Sequence, residues 1–161
     1  MMVPPPAHHP EGVTQPMVLE FNTRFGDPET QAILIRLETN LADILEASID
    51  GTADQLDIRM APGASVCVIA ASAGYPERYA SGIPIHGLEA VPPGVVVFHS
   101  GTGLREGATV TAGGRVLGVT AASPAGLQPA LDAAYAALET IKFEGMQIRR
   151  DIGWRAIRDG L

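Results

Sequence analysis

The apolar positions of this 161-residue chain change period several times, and each change marks an element. Over Met17–Asn22 apolar and polar residues alternate, so Met17, Leu19 and Phe21 share one face of a strand and Val18, Glu20 and Asn22 the other. Gly26-Asp27-Pro28 turns the chain into a helical stretch, Pro28–Asp50, where Ile33, Leu34, Leu37, Leu41, Ile44, Leu45 and Ile49 recur at spacings of three and four. Asp27 stands at the N-cap position with Pro28 first in the helix and Glu29 in its first turn. Gly51 supplies the stop, and Thr39 can cap a second helix after a break. The stripe reads as core packing.

Strands follow. Ser65–Ala71 and Val95–His99 are continuous apolar runs, the pattern of strands covered on both faces. Thr109–Ala112 and Arg115–Thr120 flank Gly113-Gly114, a two-residue hairpin signal. Pro124–Phe143 returns to helix, with Leu127, Leu131, Ala134, Tyr135, Leu138 and Ile141 on one side, and Met146–Ile157 mixes a short strand with a terminal helix. No internal repeat interrupts this order. It predicts an α+β chain with a largely antiparallel sheet.

Composition narrows the function. A formal net charge of −7 disfavours nucleic acid or an anionic membrane as main partner, although basic residues cluster at Arg149-Arg150 and Arg155-Arg158. The single cysteine, Cys67, lies inside an apolar run and reads as a buried, inert thiol. No apolar stretch approaches the roughly 18–20 residues of a membrane span, and no secretory signal opens the chain. A reduced, cytoplasmic protein fits these features. Met1–Gln15 is Pro-rich and aperiodic, a disordered leader by composition, and His8-His9 within it reads as solvated.

The chemistry concentrates in E-x-N-x-R-x-x-D-P-E, Glu20 to Glu29. Glu20 and Asn22 put a carboxylate and an amide oxygen on one face, donors that suit a hard cation such as Mg²⁺. Arg24 adds a fork shaped for phosphate. Taken singly, Glu20 reads as an edge-strand solvent residue, Arg24 as a surface charge and Asp27 as a helix cap. Gly101 and Gly103 in SGTG read as a β-turn, since no Lys follows at P-loop spacing.

LEFNTRFGDPETQ resembles the signature near the end of the ATP-grasp domain of the phosphoribosylamine–glycine ligase (glycinamide ribonucleotide synthetase) family. GYPERYASGIPIHGLE, VVVFHSGT, GGRVLGVTA and KFEGMQIRRDIGWRA resemble successive pieces of the family's C-terminal region, in the same order, from about Pro16 onward. The resemblance implies the ATP-dependent joining of glycine to 5-phosphoribosylamine in purine synthesis, through a glycyl phosphate. It implies Glu20 and Asn22 as ligands of Mg²⁺ or Mn²⁺ bridging ATP phosphates, and Arg24 as the catalytic cation on the migrating phosphoryl group. Asp27 and Glu29 would line the glycine and amine side, and Gly26 would let the backbone approach ligand. Arg149, Arg150 and Arg155 would hold the ribose phosphate, the alternative being a solvated basic patch that completes helix-end electrostatics.

It further implies that residues 16–60 are the last strand–helix piece of an ATP-grasp domain and 61–161 a small α+β domain. The family's preceding segments have no counterpart in residues 1–15, so Glu20 and Asn22 are expected near the surface, as one wall of a site. Three readings then stand: a subunit completed by a complementary N-terminal ligase chain, an inactive fragment, or a binding module without chemistry.

Overall fold

The structure, a computed structural model, describes residues 23–160. The expected strand Met17–Asn22 and the Pro-rich leader lie outside the described residues. Ten elements follow in chain order: α1 Glu29–Leu34, α2 Leu41–Asp50, β1 Ala64–Ala71, β2 Val95–His99, β3 Thr102–Arg105, β4 Ala108–Thr111, β5 Arg115–Ser123, α3 Leu127–Thr140, β6 Gln147–Ile148 and α4 Trp154–Arg158. This is the expected α+β organisation.

Four strands form an antiparallel sheet in the order β2-β5-β1-β6. β1 and β5 run in register from Ala64↔Ser123 to Ala70↔Leu117, and the register then slips so that Ala71 faces Arg115. Alternation puts Val66, Val68, Ala70, Leu117, Val119 and Ala121 in the core, together with Ala130, Leu131, Ala134, Ala137 and Leu138 of α3. Three alanines on that helix let it lie close to the β-branched surface. On the other face α1 packs against β1 and β5, where the Ser65 hydroxyl donates to the Ala32 carbonyl. Two covered faces are what the continuous apolar run of β1 predicts. β2, by contrast, is an edge strand, and its Val96 and Phe98 are exposed. An apolar run alone does not distinguish an inner strand from an edge one.

Cys67 is buried beside Gly118, as its apolar surroundings predict. Burial pushes its thiol above the ordinary range, outweighing a hydrogen bond to Thr120 that acts the other way. The folded state therefore binds this proton more tightly, so the associated stability holds at neutral pH and is lost as pH rises past the ordinary thiol range. A thiol-specific reagent at about pH 8 is expected to leave Cys67 unlabelled until denaturant is added. Rapid stoichiometric labelling of the folded chain would contradict this.

Three local expectations are corrected. Gly113-Gly114 does not close a hairpin between β4 and β5. It joins a separate two-stranded sheet, β3–β4, to the main one. The hairpin turn is Glu106-Gly107, whose φ values of 52° and 82° supply the paired left-handed geometry of a tight turn. Neither Gly113 nor Gly114 adopts a positive φ.

The helix break near Thr39 occurs, but Asn40 caps α2 by accepting from the Ala42 amide at 3.0 Å. The Thr39 hydroxyl instead accepts from the Arg59 amide at 2.8 Å. Gly51 ends α2 in the left-handed conformation, as expected.

The stripe read as core packing is not core among the described residues. Neither α1 nor α2 buries a residue there, and Leu45 and Ile49 are 50% and 84% exposed. Periodicity identifies an amphipathic helix without saying which layer covers it.

Candidate functional site: a guanidinium-lined cleft

A cleft of about 770 Å³ opens where β1, β5 and β6 end together. Ile69, Ala71, Met146 and Ile148 make an apolar floor, Pro28 and Tyr75 add flat walls, and Arg115, Arg149 and Arg150 bring three guanidinium groups. The topology explains the convergence. Ala71 pairs with Arg115 on one side and Gln147 on the other, so β5 and β6 flank it about 10 Å apart, twice the strand spacing.

Arg115 is tied from several directions. Its Nε donates to the Tyr75 hydroxyl at 2.9 Å, and one terminal nitrogen donates to the Asp27 carbonyl at 2.7 Å and lies 3.2 Å from the Asp27 carboxylate. The guanidinium carbon sits 5.9 Å from the centre of the Tyr75 ring. These contacts, the Tyr75 hydrogen bond foremost, raise the Arg115 pKa. Ser72 pins the approach to β5, its amide bonding the Gly114 carbonyl at 2.8 Å and its hydroxyl the Gly113 carbonyl at 2.9 Å.

The second pair is built on the tail. Tyr135 of α3 donates to the Arg149 carbonyl at 2.8 Å, holding the segment after β6 against the helix. The Arg149 side chain forks onto Asp151 at 2.9 and 2.7 Å. That bidentate contact holds the Asp151 carboxyl below the usual carboxylate range and raises the Arg149 guanidinium. Arg150 forms no side-chain hydrogen bond or ion pair among the described residues. Of three cations, two are matched by carboxylates, and Arg150 carries the uncompensated charge.

The sequence-predicted residues divide accordingly. Arg149 and Arg150 meet in the cleft, whereas Arg155 does not line it and lies 5.7 Å from the Trp154 ring instead, with Arg158 at 4.9 Å. Asp27 is not a helix cap. Pro28 occupies that position without a side-chain cap, and the Asp27 carboxylate goes to Arg115 and to the Gln31 amide at 3.2 Å. Arg24 donates to the Phe25 carbonyl and lines a separate shallow depression with Thr23, Phe25 and Leu45. Glu29 opens α1, and its carboxylate fills the space beside Gly26 that was expected to admit a ligand.

Glu20 and Asn22 lie outside the described residues. Their donor set, one carboxylate and one amide oxygen, fits a hard divalent cation. Among the described residues no three His, Cys, Asp or Glu side chains gather as a metal site, and no helix is long and apolar enough to cross a membrane.

Tyr75 and Arg115 escape the sequence reading. Both stand in segments that resemble the family, GYPERYASGIPIHGLE and GGRVLGVTA, but without an assigned role, and the glycine before Arg115 leaves the space that the Tyr75 ring fills.

Residues 65–155 match the family described as phosphoribosylglycinamide synthetase, C domain. A phosphoribosylamine–glycine ligase of Xanthomonas campestris is 48% identical over 143 residues, 88% of this chain and 33% of that protein. The chloroplastic enzyme of Arabidopsis thaliana is 46% identical over 147 residues, 89% of this chain and 27% of that one. The crystal structure of the Thermotoga maritima ligase superposes with a TM-score of 0.67 at 32% identity, covering 83% of this chain and 32% of that one. The chain spans about a third of the length of the curated bacterial relatives it matches. By the extent and order of these matches, the chain belongs to the phosphoribosylglycinamide synthetase family and carries its C domain.

Proposed function

We propose that this chain supplies the C-terminal part of an ATP-dependent phosphoribosylamine–glycine ligase, and that its cleft binds the ribose phosphate of 5-phosphoribosylamine. The observation that carries the reading is the meeting of Arg149, Arg150 and Arg115 at one cleft in a chain of this family. Two of these cations are balanced by carboxylates, so the dianionic phosphate is drawn chiefly to Arg150. The compensated guanidiniums add hydrogen-bond donors rather than net charge.

The reaction requires the glycine carboxylate to take the terminal phosphoryl of ATP, releasing ADP, and the amine of phosphoribosylamine then to displace phosphate from glycyl phosphate. Positioning and charge neutralisation dominate such a transfer. Arg24 would neutralise the migrating phosphoryl group, and Asp27 and Glu29 would face the glycine and amine side. Arg155, which does not line the cleft, would contribute only its charge, at longer range. Glu20 and Asn22 would hold Mg²⁺ or Mn²⁺, whose part is to offset the charge of the ATP phosphates. In this assignment residues 16–60 derive from an ATP-grasp domain, residues 61–161 form the C domain, and the location is cytoplasmic. The remaining walls for ATP and phosphoribosylamine would come from a region equivalent to the other two-thirds of the relatives.

The first test is calorimetric titration with ribose 5-phosphate. Arg150→Ala is expected to weaken binding about 10- to 100-fold, the loss of one charge-assisted phosphate contact. An unchanged affinity would remove the phosphate assignment. The second is ADP release with glycine and phosphoribosylamine when the N-terminal two-thirds of a relative is supplied as a separate chain. Ribose 5-phosphate binding without any ADP release under those conditions would favour a binding module over an enzyme part.

A further inference from the structure

We propose that Arg115 is a positioning residue: it fastens the Asp27–Pro28 turn to the end of the sheet and thereby builds the cleft wall facing Arg149 and Arg150. The proposal rests on the phosphate reading of the cleft for its ligand and on the local geometry for everything else.

Arg115 and the Arg149 segment stand on either side of Ala71, on β5 and after β6, so the width of the cleft is set by strands. Pro28, however, belongs to no strand and reaches the cleft only through the turn before α1. Gln31 and Thr30 close the turn locally, and among the described residues the side chain that ties it to β5 is one guanidinium. It binds both the carbonyl and the carboxylate of Asp27, while its Nε is anchored by Tyr75. A flexible ammonium offers one centre and cannot reproduce three directed contacts in a plane.

Energetics assign the role to geometry rather than to stability. The Arg115 and Asp27 side chains are 38% and 51% exposed, so their attraction is screened and adds little to global folding. The sheet and α3 do not depend on it. A precise tie of little energetic worth to the fold is one maintained for position.

The same tie joins two regions of the sequence. Asp27 stands three residues after Arg24, in the segment proposed to handle the phosphoryl group, whereas Arg115 belongs to the C domain. Fastening one to the other fixes the distance between the phosphoryl-handling segment and the bound ribose phosphate. An anion in the cleft that draws on the remaining Arg115 donors tightens the turn.

The experiment compares the chain with Arg115→Ala, Arg115→Lys and Arg150→Ala, using ribose 5-phosphate as probe and amide hydrogen exchange at Thr30, whose N–H bonds the Gly26 carbonyl. Both Arg115 variants are expected to melt close to the parent, to weaken binding about tenfold and to exchange faster at Thr30. Ligand is expected to slow that exchange in the parent and in neither Arg115 variant. Arg150→Ala weakens binding while leaving Thr30 exchange unchanged.

Parent-like affinity and exchange in Arg115→Lys would overturn the proposal, because charge alone would then suffice. If Arg150→Ala weakens binding while Arg115→Ala keeps the parent's affinity and Thr30 exchange, the phosphate site stands and the positioning role falls. If no form binds ribose 5-phosphate, the phosphate reading fails, and Thr30 exchange without ligand still decides whether Arg115 holds the turn.

Discussion

Leu117→Ala is expected to destabilise the chain by about 3–5 kcal/mol, the upper part of the range for a buried leucine. Leu117 is fully buried on β5, an inner strand hydrogen-bonded to β1 on one side and β2 on the other. Its register partners on those strands are Ala70 and His99. Neither can close the gap, because one is small and the other lies at the exposed end of its strand. The backbone around it is fixed by two ladders, so the cavity relaxes little, and its size sets the cost. The melting temperature should fall on the order of 10 °C, with the urea m-value unchanged. Leu117→Met, which nearly conserves volume, should cost less than about 1.5 kcal/mol. A comparable loss in both variants would mean that the site is sensitive to shape rather than to the void.

How far the sequence announces this structure depends on which physical signal each part uses. The sheet core and α3 are legible because alternation and a 3.6-residue period follow directly from burial. β1, β5 and α3 all form close to their expected limits. Arg149 and Arg150 were recognisable as a basic pair on the tail. Turn geometry was harder. Gly-Gly looks like a hairpin, yet the backbone uses Glu106-Gly107, because a positive φ at Glu106 cannot be anticipated from residue type. The exposed stripe on α2 shows a second limit, since amphipathicity records that a face seeks cover but not what supplies it. Arg115 shows a third: its contacts with Asp27 and Tyr75 span 88 and 40 residues, and no local pattern encodes a meeting at that separation.

Gly114→Ala is expected to damage the cleft more than any other single-methyl change. The backbone at Gly114 lies outside the left-handed region, so alanine carries no conformational penalty there. The obstacle is occupancy. A Cβ would overlap the edge of the Tyr75 ring and reach within 3.0 Å of Tyr79, whose ring centre lies 6.4 Å from that of Tyr75. To make room, Tyr75 must swing away, and its hydroxyl then leaves Arg115 Nε. The overpacking should cost about 1–3 kcal/mol, and ribose 5-phosphate binding should fall as it does in Arg115→Ala. A double-mutant cycle isolates the cause. In a Tyr75→Ala background the overlap with the Tyr75 ring is gone and only the contact with Tyr79 remains, so the stability cost of Gly114→Ala should shrink well below its cost in the parent, a coupling expected only between residues in contact. Binding should stay weak in that double variant, because the ring's departure already frees Arg115 from its anchor. Additive stability costs would show that Gly114 acts through the Ser72-pinned backbone instead. Recovered binding would show that Arg115 holds the Asp27 turn without help from Tyr75.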